Sequence, residues 1–500
     1  MRKHKSWIQA IEKYFDIIFT KQYRQVSTII INYDNVRSAG ERLKTFGGTA
    51  SGHGALEEIF TKINKIINDE NREYKKLRPI DCLDIANIIA SGVVVGGVRR
   101  SSKIGLGAMS DKEFVEAKSN LYIQKDGKWE INNEIAYRQM SNNSIFYESK
   151  PTREQLKWQI QQMRYSAEPA FINAEAARKR RSDFEAINPC GEVLLDTQQC
   201  CNLTTVNVFA FVENGKLNEE KLCRAQELSA RAGYRMTFLE LELNDWDLKQ
   251  KRDRLVGCSL TGWQDMVNAT SMTYEDQSKL LQKLREVAHQ TVEKYAQQLG
   301  TNKPLLTTLI KPEGSLSQLP TVSSGLHFSH SPYYIRRVRV NAQDPVLKVC
   351  EELKYPIFPE VGQDPSNAKT KVVEFPIKAP EGKTKYDIGA IEQLKIYKMF
   401  MENYVDHNAS ITVHVRDHEW QDVEQWMWDN WDVVVGVSFL SLDDSFYELL
   451  PYEAISEEEY NKRAKKMKTF SPTLISKYEI VETEFDIVDD SCTTGACPIR

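Results

Sequence analysis

Residues 188–211 read NPCGEVLLDTQQCCNLTTVNVFAF. Cys190 stands between Pro189 and Gly191, so it lies on a loop and not inside a helix or a central strand. Asn188 and Glu192 flank it two residues away on either side. An amide, a carboxylate and a sulfur can therefore converge on one small volume, with a hydrogen-bonding group and a proton acceptor beside the thiol. The vicinal pair Cys200-Cys201 then leads into the β-branched run Thr204–Phe211, which predicts a strand. A cysteine entering that strand can point into the same pocket, or the two thiols can sit buried on opposite faces.

Similar short apolar runs recur at Ser27–Asn32, Val93–Val95, Leu305–Ile310, Ser410–Val415 and Val433–Phe439, as for parallel strands buried on both faces. Longer amphipathic stretches, such as Tyr274–Leu299 and Ile391–Val405, separate them. The alternation predicts an α/β fold. Glu360–Thr384, rich in Pro, Lys and Gly, reads as an excursion or surface hairpin. Periodicity fades after about Glu457, and residues 484–500 read as an acidic, mobile tail. No internal repeat is present.

The chain has 500 residues, 41% hydrophobic and 27% charged, with a formal charge of -4. That balance carries no basic footprint for nucleic acid. No apolar stretch is long enough to span a bilayer. The basic N-terminus is followed by an amphipathic pattern, not a signal-peptide core, so a cytoplasmic location and no membrane partner are expected. Nine cysteines, an odd number, do not suit a secreted disulfide scaffold. Cys82, Cys223, Cys258 and Cys350 read as small buried hydrophobes. Cys492 and Cys497 are separated by four small or polar residues, a loop able to close a disulfide and exposed enough for thiol exchange. Zinc would need a second close pair, which is missing, so no metal site is expected. Cys–His nucleophilic catalysis at Cys190 would draw on His289, His327, His330, His407, His414 or His418, none of which the sequence places beside it. Glycine-rich turns follow strands at Phe46–Gly52, Val95–Arg100 and Lys311–Ser317. None matches a dinucleotide fingerprint or a P-loop, but three together point to a phosphate-bearing ligand.

Asn188–Glu192, Cys201-Asn202-Leu203 eleven residues after Cys190, Gly96–Ser101, Asn142-Asn143-Ser144 and the Cys492/Cys497 tail together resemble the adenosylcobalamin-dependent class II ribonucleotide reductases of the monomeric, triphosphate-reducing type. The resemblance spans about Lys5 to Arg500. It implies the larger part of a ten-stranded α/β barrel over residues 1–455, with Cys190 on an internal finger loop (188–192). A peripheral segment (456–483) and a mobile redox tail (484–500) would follow. It further implies adenosylcobalamin as cofactor, a ribonucleoside triphosphate substrate, a deoxynucleotide effector and a thioredoxin-like reductant. Cys190 would carry a thiyl radical, Glu192 would take the 3'-hydroxyl proton and Asn188 would hold the ribose hydroxyls. Cys201 would be one half of the reducing dithiol, re-reduced by Cys492 and Cys497. Pro312, Glu313, Gly314, Ser315, Leu316 and Ser317 resemble the substrate phosphate loop (311–317). Arg37, Arg42, Lys44, Gly47 and Gly48 belong to a stretch (37–52) resembling the effector-linked loop. Cys200 receives no role.

The sequence departs from the family in one respect: the long N-terminal portion that carries the partner of Cys201 is missing. The expectation is a split enzyme completed by a separate N-terminal chain. The alternatives are a complete small enzyme in which Cys82, Cys200 or another thiol replaces the partner of Cys201, a noncatalytic or regulatory nucleotide-binding homologue that assembles with a full-length reductase, and a thiol-exchange module working through Cys492 and Cys497. The oxygen-dependent class, with its late paired tyrosines, and the glycyl-radical class fit less well.

Overall fold

The computed structural model describes residues 4–39, 41, 50–68, 76–95, 98–99, 101–125, 128–342, 344–360, 365–366, 368, 370–442 and 451–478. Its centre is a long run of strands. Val256–Thr261 is buried at every position, as a strand covered on both faces must be. It pairs in parallel with Asn202–Asn207. On its other side a parallel bridge joins Cys258 to Thr308, and a second joins Ile310 to Ala409. The chain continues from Ala409 into Thr412–Val415, which is parallel to Gly436–Ser441. There the direction reverses: Gly436–Ser441 is antiparallel to Ala170–Asn173. Asn142–Tyr147 and Ile104–Gly107 follow in parallel. Among the described residues this makes eight strands, five running one way and three the other, where the expectation was the larger part of a ten-stranded barrel.

Helices cover the run because each buries an apolar stripe against it. Tyr274–Leu299 is bounded as the sequence indicates. Thr273 Oγ1 accepts from the Asp276 N–H at 3.2 Å, and Gly300, at φ +63°, takes the left-handed turn that ends it. The main core centres on Trp263, Tyr397, Phe400, Phe171 and Phe439. Trp263 meets Phe400 edge to face at 5.0 Å. His4–Phe19, Gly54–Ile67 and Pro79–Ser91 build a smaller core of their own around Tyr14, Phe60 and Ile63.

Several expectations need correction. Ser27–Asn32 forms no strand: Ile30 is 89% exposed, and a β-branched run without a neighbouring strand has nothing to pair with. Within 360–384, Thr370–Lys378 is a central strand of a four-stranded antiparallel sheet, between Ile357–Pro359 and Tyr333–Asn341. Its adjacent Val372 and Val373 are both buried. The charged stretch after Ser456 folds as the helix Glu457–Lys466, capped by the Ser456 side chain, and Arg463 donates to Glu374 at 2.8 Å. Cys258 and Cys350 are buried as expected, but Cys223 is half-buried and Cys82 is exposed. No helix among the described residues is long and apolar enough to cross a membrane.

Between Thr308 and Ala409 the strand ladder is completed by a side chain. Asp406 Oδ2 accepts from the N–H groups of Thr307 (3.0 Å) and Thr308 (3.2 Å) and meets His289 Nε2 at 2.7 Å, while Oδ1 accepts from Arg285 at 2.6 Å. Burial alone would push this carboxyl up. The His289 and Arg285 hydrogen bonds and charges outweigh burial and hold it well below the usual carboxylate range. Its contribution therefore belongs to the ionised form, is complete above the ordinary carboxylate range, and is lost as pH falls through the depressed value. Asp406→Asn is expected to cost about 2–4 kcal/mol at neutral pH, read as a lower urea midpoint. Its stability should also fall less steeply than wild type below about pH 4. Parallel curves would refute this account.

Candidate active site

The finger loop is the tip of a two-residue hairpin, Ala186–Ile187 against Leu194–Leu195. Asn188 closes it: its Oδ1 accepts from the N–H groups of Glu192 (3.0 Å) and Val193 (2.8 Å). Gly191 sits at φ +79°, where a side chain would be strained. The Asn-x-x-Gly spacing is thus the chemistry of the turn itself, and it leaves Cys190 exposed at the apex.

Other elements clamp the loop. Asn408 Nδ2 donates to Gly191 O at 2.6 Å and to Gly436 O at 3.1 Å, and the Asn408 N–H donates to Glu192 O at 3.1 Å. Ser410 Oγ donates to Cys190 O at 2.6 Å, and Asn142 Nδ2 to Pro189 O at 2.8 Å. Leu194 N–H donates to His407 Nδ1 at 3.2 Å, so Nε2 carries the proton toward Val256 O at 3.2 Å. Burial lowers His407 to about 4, so it stays neutral. No histidine among the described residues bonds to Cys190, and the Cys–His reading loses its base.

Cys190 rims a cleft of about 360 Å³ between the loop and the ends of the central strands. Asn142, Asn143, Ser144, Thr412 and Ser438 line it, and Pro312 closes one side. Glu168 also faces it, ion-paired with Lys118 and accepting from the Asn143 N–H at 3.1 Å. Crowding by the surrounding protein raises the Cys190 thiol, the Glu192 carboxylate raises it further, and Lys311 opposes both.

Glu192 is 2% exposed, and its Oε2 has no hydrogen-bond partner among the described residues. Burial pushes its carboxyl up against the pull of Asn188, its own backbone and Lys311, and Glu313 adds to the rise. The Cys201 thiol is pushed well up, first by burial and then by Cys200, Glu192 and Cys258. Alternation along Asn202–Asn207 separates these thiols. Cys201 shares the side of Thr205, which faces Glu313. Cys258 pairs in register with Thr204 on the other side, and Cys200 Sγ donates to Gln250 Oε1 at 3.4 Å.

In the 311–317 turn, Gly314, Ser315 and Leu316 are exposed. Glu313 is 4% exposed and turned inward. Ser317 is buried, its hydroxyl 2.9 Å from Ser324 Oγ and its N–H donated to Glu313 O, so it serves the turn and does not face solvent. Arg37 lies 3.6 Å from Glu41. Arg42, Lys44, Gly47, Gly48, Cys492 and Cys497 lie outside the described residues. The site residues invisible to sequence reasoning are Asn408 and Ser410, which reach the loop from a distant part of the chain, Glu168, which lines the cleft, and Lys311, whose charge acts on Cys190.

Residues 2–67 match the family described as B12-dependent ribonucleotide reductase, insertion domain. Adenosylcobalamin-dependent ribonucleoside-triphosphate reductases of Lactobacillus acidophilus (27% identical), Lacticaseibacillus paracasei (28%) and Lactobacillus leichmannii (26%) each align with 99% of this chain and with 69% of their own length. A solved B12-dependent class II ribonucleotide reductase shares the fold, with a TM-score of 0.72 and 24% identity over 88% of this chain and 63% of that one. These comparisons give no support to a separate N-terminal chain. Along nearly its whole length, this chain is similar to the adenosylcobalamin-dependent ribonucleoside-triphosphate reductases, and it shares the fold of a class II ribonucleotide reductase.

Proposed function

We propose that the chain reduces ribonucleoside triphosphates to 2'-deoxyribonucleotides by radical chemistry at Cys190. The observation that carries this is an exposed thiol at the apex of a loop clamped by Ser410, Asn142 and Asn408, with no histidine bonded to it among the described residues. A cysteine nucleophile needs a lowered value to be a thiolate. A raised thiol keeps its hydrogen at neutral pH, as hydrogen-atom transfer requires. Intact Cys190, Glu192 and Cys201 speak against the regulatory alternative.

The wall beside the exposed Sγ offers amides and hydroxyls, which fit an amide-bearing corrin; Asn142, Thr412 and Ser438 would hold it at the rim. Adenosylcobalamin, when bound, supplies homolytic chemistry that generates an organic radical. Once its hydrogen atom has been removed, the Cys190 sulfur takes the 3'-hydrogen of the ribose, reforming S–H and leaving the radical on C3'. Glu192, buried and with a free Oε2, accepts the 3'-hydroxyl proton. Asn188, whose Oδ1 closes the loop and whose side chain also hydrogen-bonds Glu192, offers its second Nδ2 hydrogen to a ribose hydroxyl. The exposed amides of Gly314–Leu316 open a turn and suit phosphate oxygens. Cys201 gives one thiol of the two-electron reduction that replaces the 2'-hydroxyl, which leaves as water. The second thiol of that pair is one that the resemblance assigns to the family's N-terminal portion. Cys492 and Cys497 return the oxidised pair to dithiol and are themselves reduced by a thioredoxin-like protein. The residues of 37–52 report a bound deoxynucleotide effector.

The direct test supplies adenosylcobalamin, a small dithiol and a ribonucleoside triphosphate to the chain, alone and together with any N-terminal reductase segment encoded beside it. Deoxynucleotide is the expected product, and Cys190→Ala should lower its formation by about 10³-fold or more. Product formation that survives this substitution would overturn the assignment. Cys492→Ser is expected to abolish turnover driven by thioredoxin while sparing most activity with the small dithiol. Equal loss with both reductants would remove the relay role from the tail.

A further inference from the structure

The turn that carries the exposed amides of Gly314 and Ser315 also buries a carboxylate. Glu313 holds φ +55°, a left-handed conformation that a non-glycine residue adopts only when its surroundings impose it. The turn directs the side chain inward. Oε1 accepts from Thr205 Oγ1 at 2.5 Å, and Oε2 lies 3.6 Å from Lys311 Nζ, with no hydrogen bond among the described residues. An acidic side chain facing outward here would repel a phosphate. Turned inward, its charge acts on Glu192.

Lys311 continues the strand whose Ile310 bridges to Ala409, and Asn408, one residue earlier, holds the backbone of Glu192. Lys311 and Glu192 therefore flank the same strand. Both carboxylates are nearly fully buried, and each has an Oε2 without a hydrogen bond. Lys311 lies 3.6 Å from Glu313, and its charge also acts on Glu192. We propose that Glu313 is a positioning residue for Glu192: from the inner side of the phosphate turn it holds Lys311 and so sets the electrostatic field in which Glu192 works. The proposal rests on the reading of Glu192 as the proton acceptor. Because Glu313 and the exposed amides are consecutive, a phosphate seated on that turn would act on the same carboxylate.

The groups facing Glu192 fix the sign of the effect. They are Cys190 and Asn188 on its own loop, Lys311 and Glu313 on the phosphate turn, and Cys201 before the neighbouring strand. Glu313 pushes the Glu192 carboxyl up, and Lys311 pulls both Glu192 and the Cys190 thiol down. Removing the Glu313 charge leaves Lys311 acting on Glu192 and Cys190 alone, so both should ionise at lower pH.

The test reads Cys190 directly and needs no turnover. The full chain, without cofactor, is alkylated with iodoacetamide across pH, and Cys190 labelling is quantified by peptide mass spectrometry. Glu313→Gln is expected to move the labelling midpoint to lower pH and to raise the rate at pH 8 severalfold. Lys311→Met should move the midpoint up and abolish the response to Glu313→Gln. Glu313→Asp, which keeps the charge but withdraws it from Lys311, should give a smaller shift in the same direction, and stands in if Glu313→Gln does not fold. An unchanged midpoint in these variants, or a Glu313→Gln effect undiminished by Lys311→Met, would overturn the proposal. In the active enzyme, the acid limb of the pH–rate profile should move to lower pH with KM for the triphosphate nearly unchanged. A merely structural role would lower kcat equally at every pH. Inactivity of the wild type would count against the reductase reading, while the labelling result would still decide the Glu313–Lys311 coupling.

Discussion

One buried amide, Asn408, holds the active loop to the fold. It is 1% exposed, and its polar atoms are used. Its Nδ2 serves Gly191 O and Gly436 O, its Oδ1 accepts from Tyr397 OH at 2.9 Å, its N–H donates to Glu192 O, and its carbonyl accepts from the Ile310 N–H at 3.3 Å. A two-residue hairpin is marginal in water by itself. The finger loop therefore takes its rigidity from this residue, which ties it at once to two strands and a helix. Each buried polar group left unpaired would cost about 1–3 kcal/mol, so alternative positions of the loop are penalised several times over. The site of Cys190 is defined by that penalty and not by packing around the sulfur, which stays exposed.

The same rigidity separates the tasks of the thiols. Cys190 is held at a rim where the surrounding protein, and then the Glu192 carboxylate, raise its thiol. Cys201 sits where the chain enters Asn202–Asn207, on the side of Thr205 and Glu313. Cys200 and Cys258 point to the other side, where Gln250 and Thr204 occupy them. Strand alternation thus answers the question left open by the vicinal pair: one thiol for each face of the strand, with Cys201 on the side of Thr205.

What was legible in the sequence was local. Asn188 and Gly191 make a turn whose logic lies within five residues, and the helix Tyr274–Leu299 carries its own cap and stop. Ser27–Asn32 has strand composition without a partner, and composition cannot report whether a partner exists. Glu360–Thr384 has loop composition, yet pairing with Tyr333–Asn341 makes part of it a central strand. Asn408, Ser410 and His407 were illegible for the same reason: they reach the loop from more than two hundred residues away. A buried amide gives no periodic signal before the strands that surround it are known. Glu313 was legible only as a member of a glycine-containing turn. Its inward direction depends on one left-handed residue and on Thr205, a hundred residues distant.

The placement of chemistry along the sheet has a consistent logic. Cys190, Glu192 and Lys311 gather around the strands near Ile310 and Ala409, inside the run, where neighbours on both sides fix every backbone group. Cys201 precedes Asn202–Asn207, the last strand of the run among the described residues, paired on one side by Val256–Thr261. Hydrogen-atom transfer needs a sulfur that does not move, and the interior of the sheet supplies it. Disulfide exchange needs a thiol that another cysteine can approach, and among the described residues Asn202–Asn207 has one unpaired edge. The proposed division between a fixed radical thiol and an exchangeable reducing thiol thus follows the mechanical difference between the inside of a sheet and its edge.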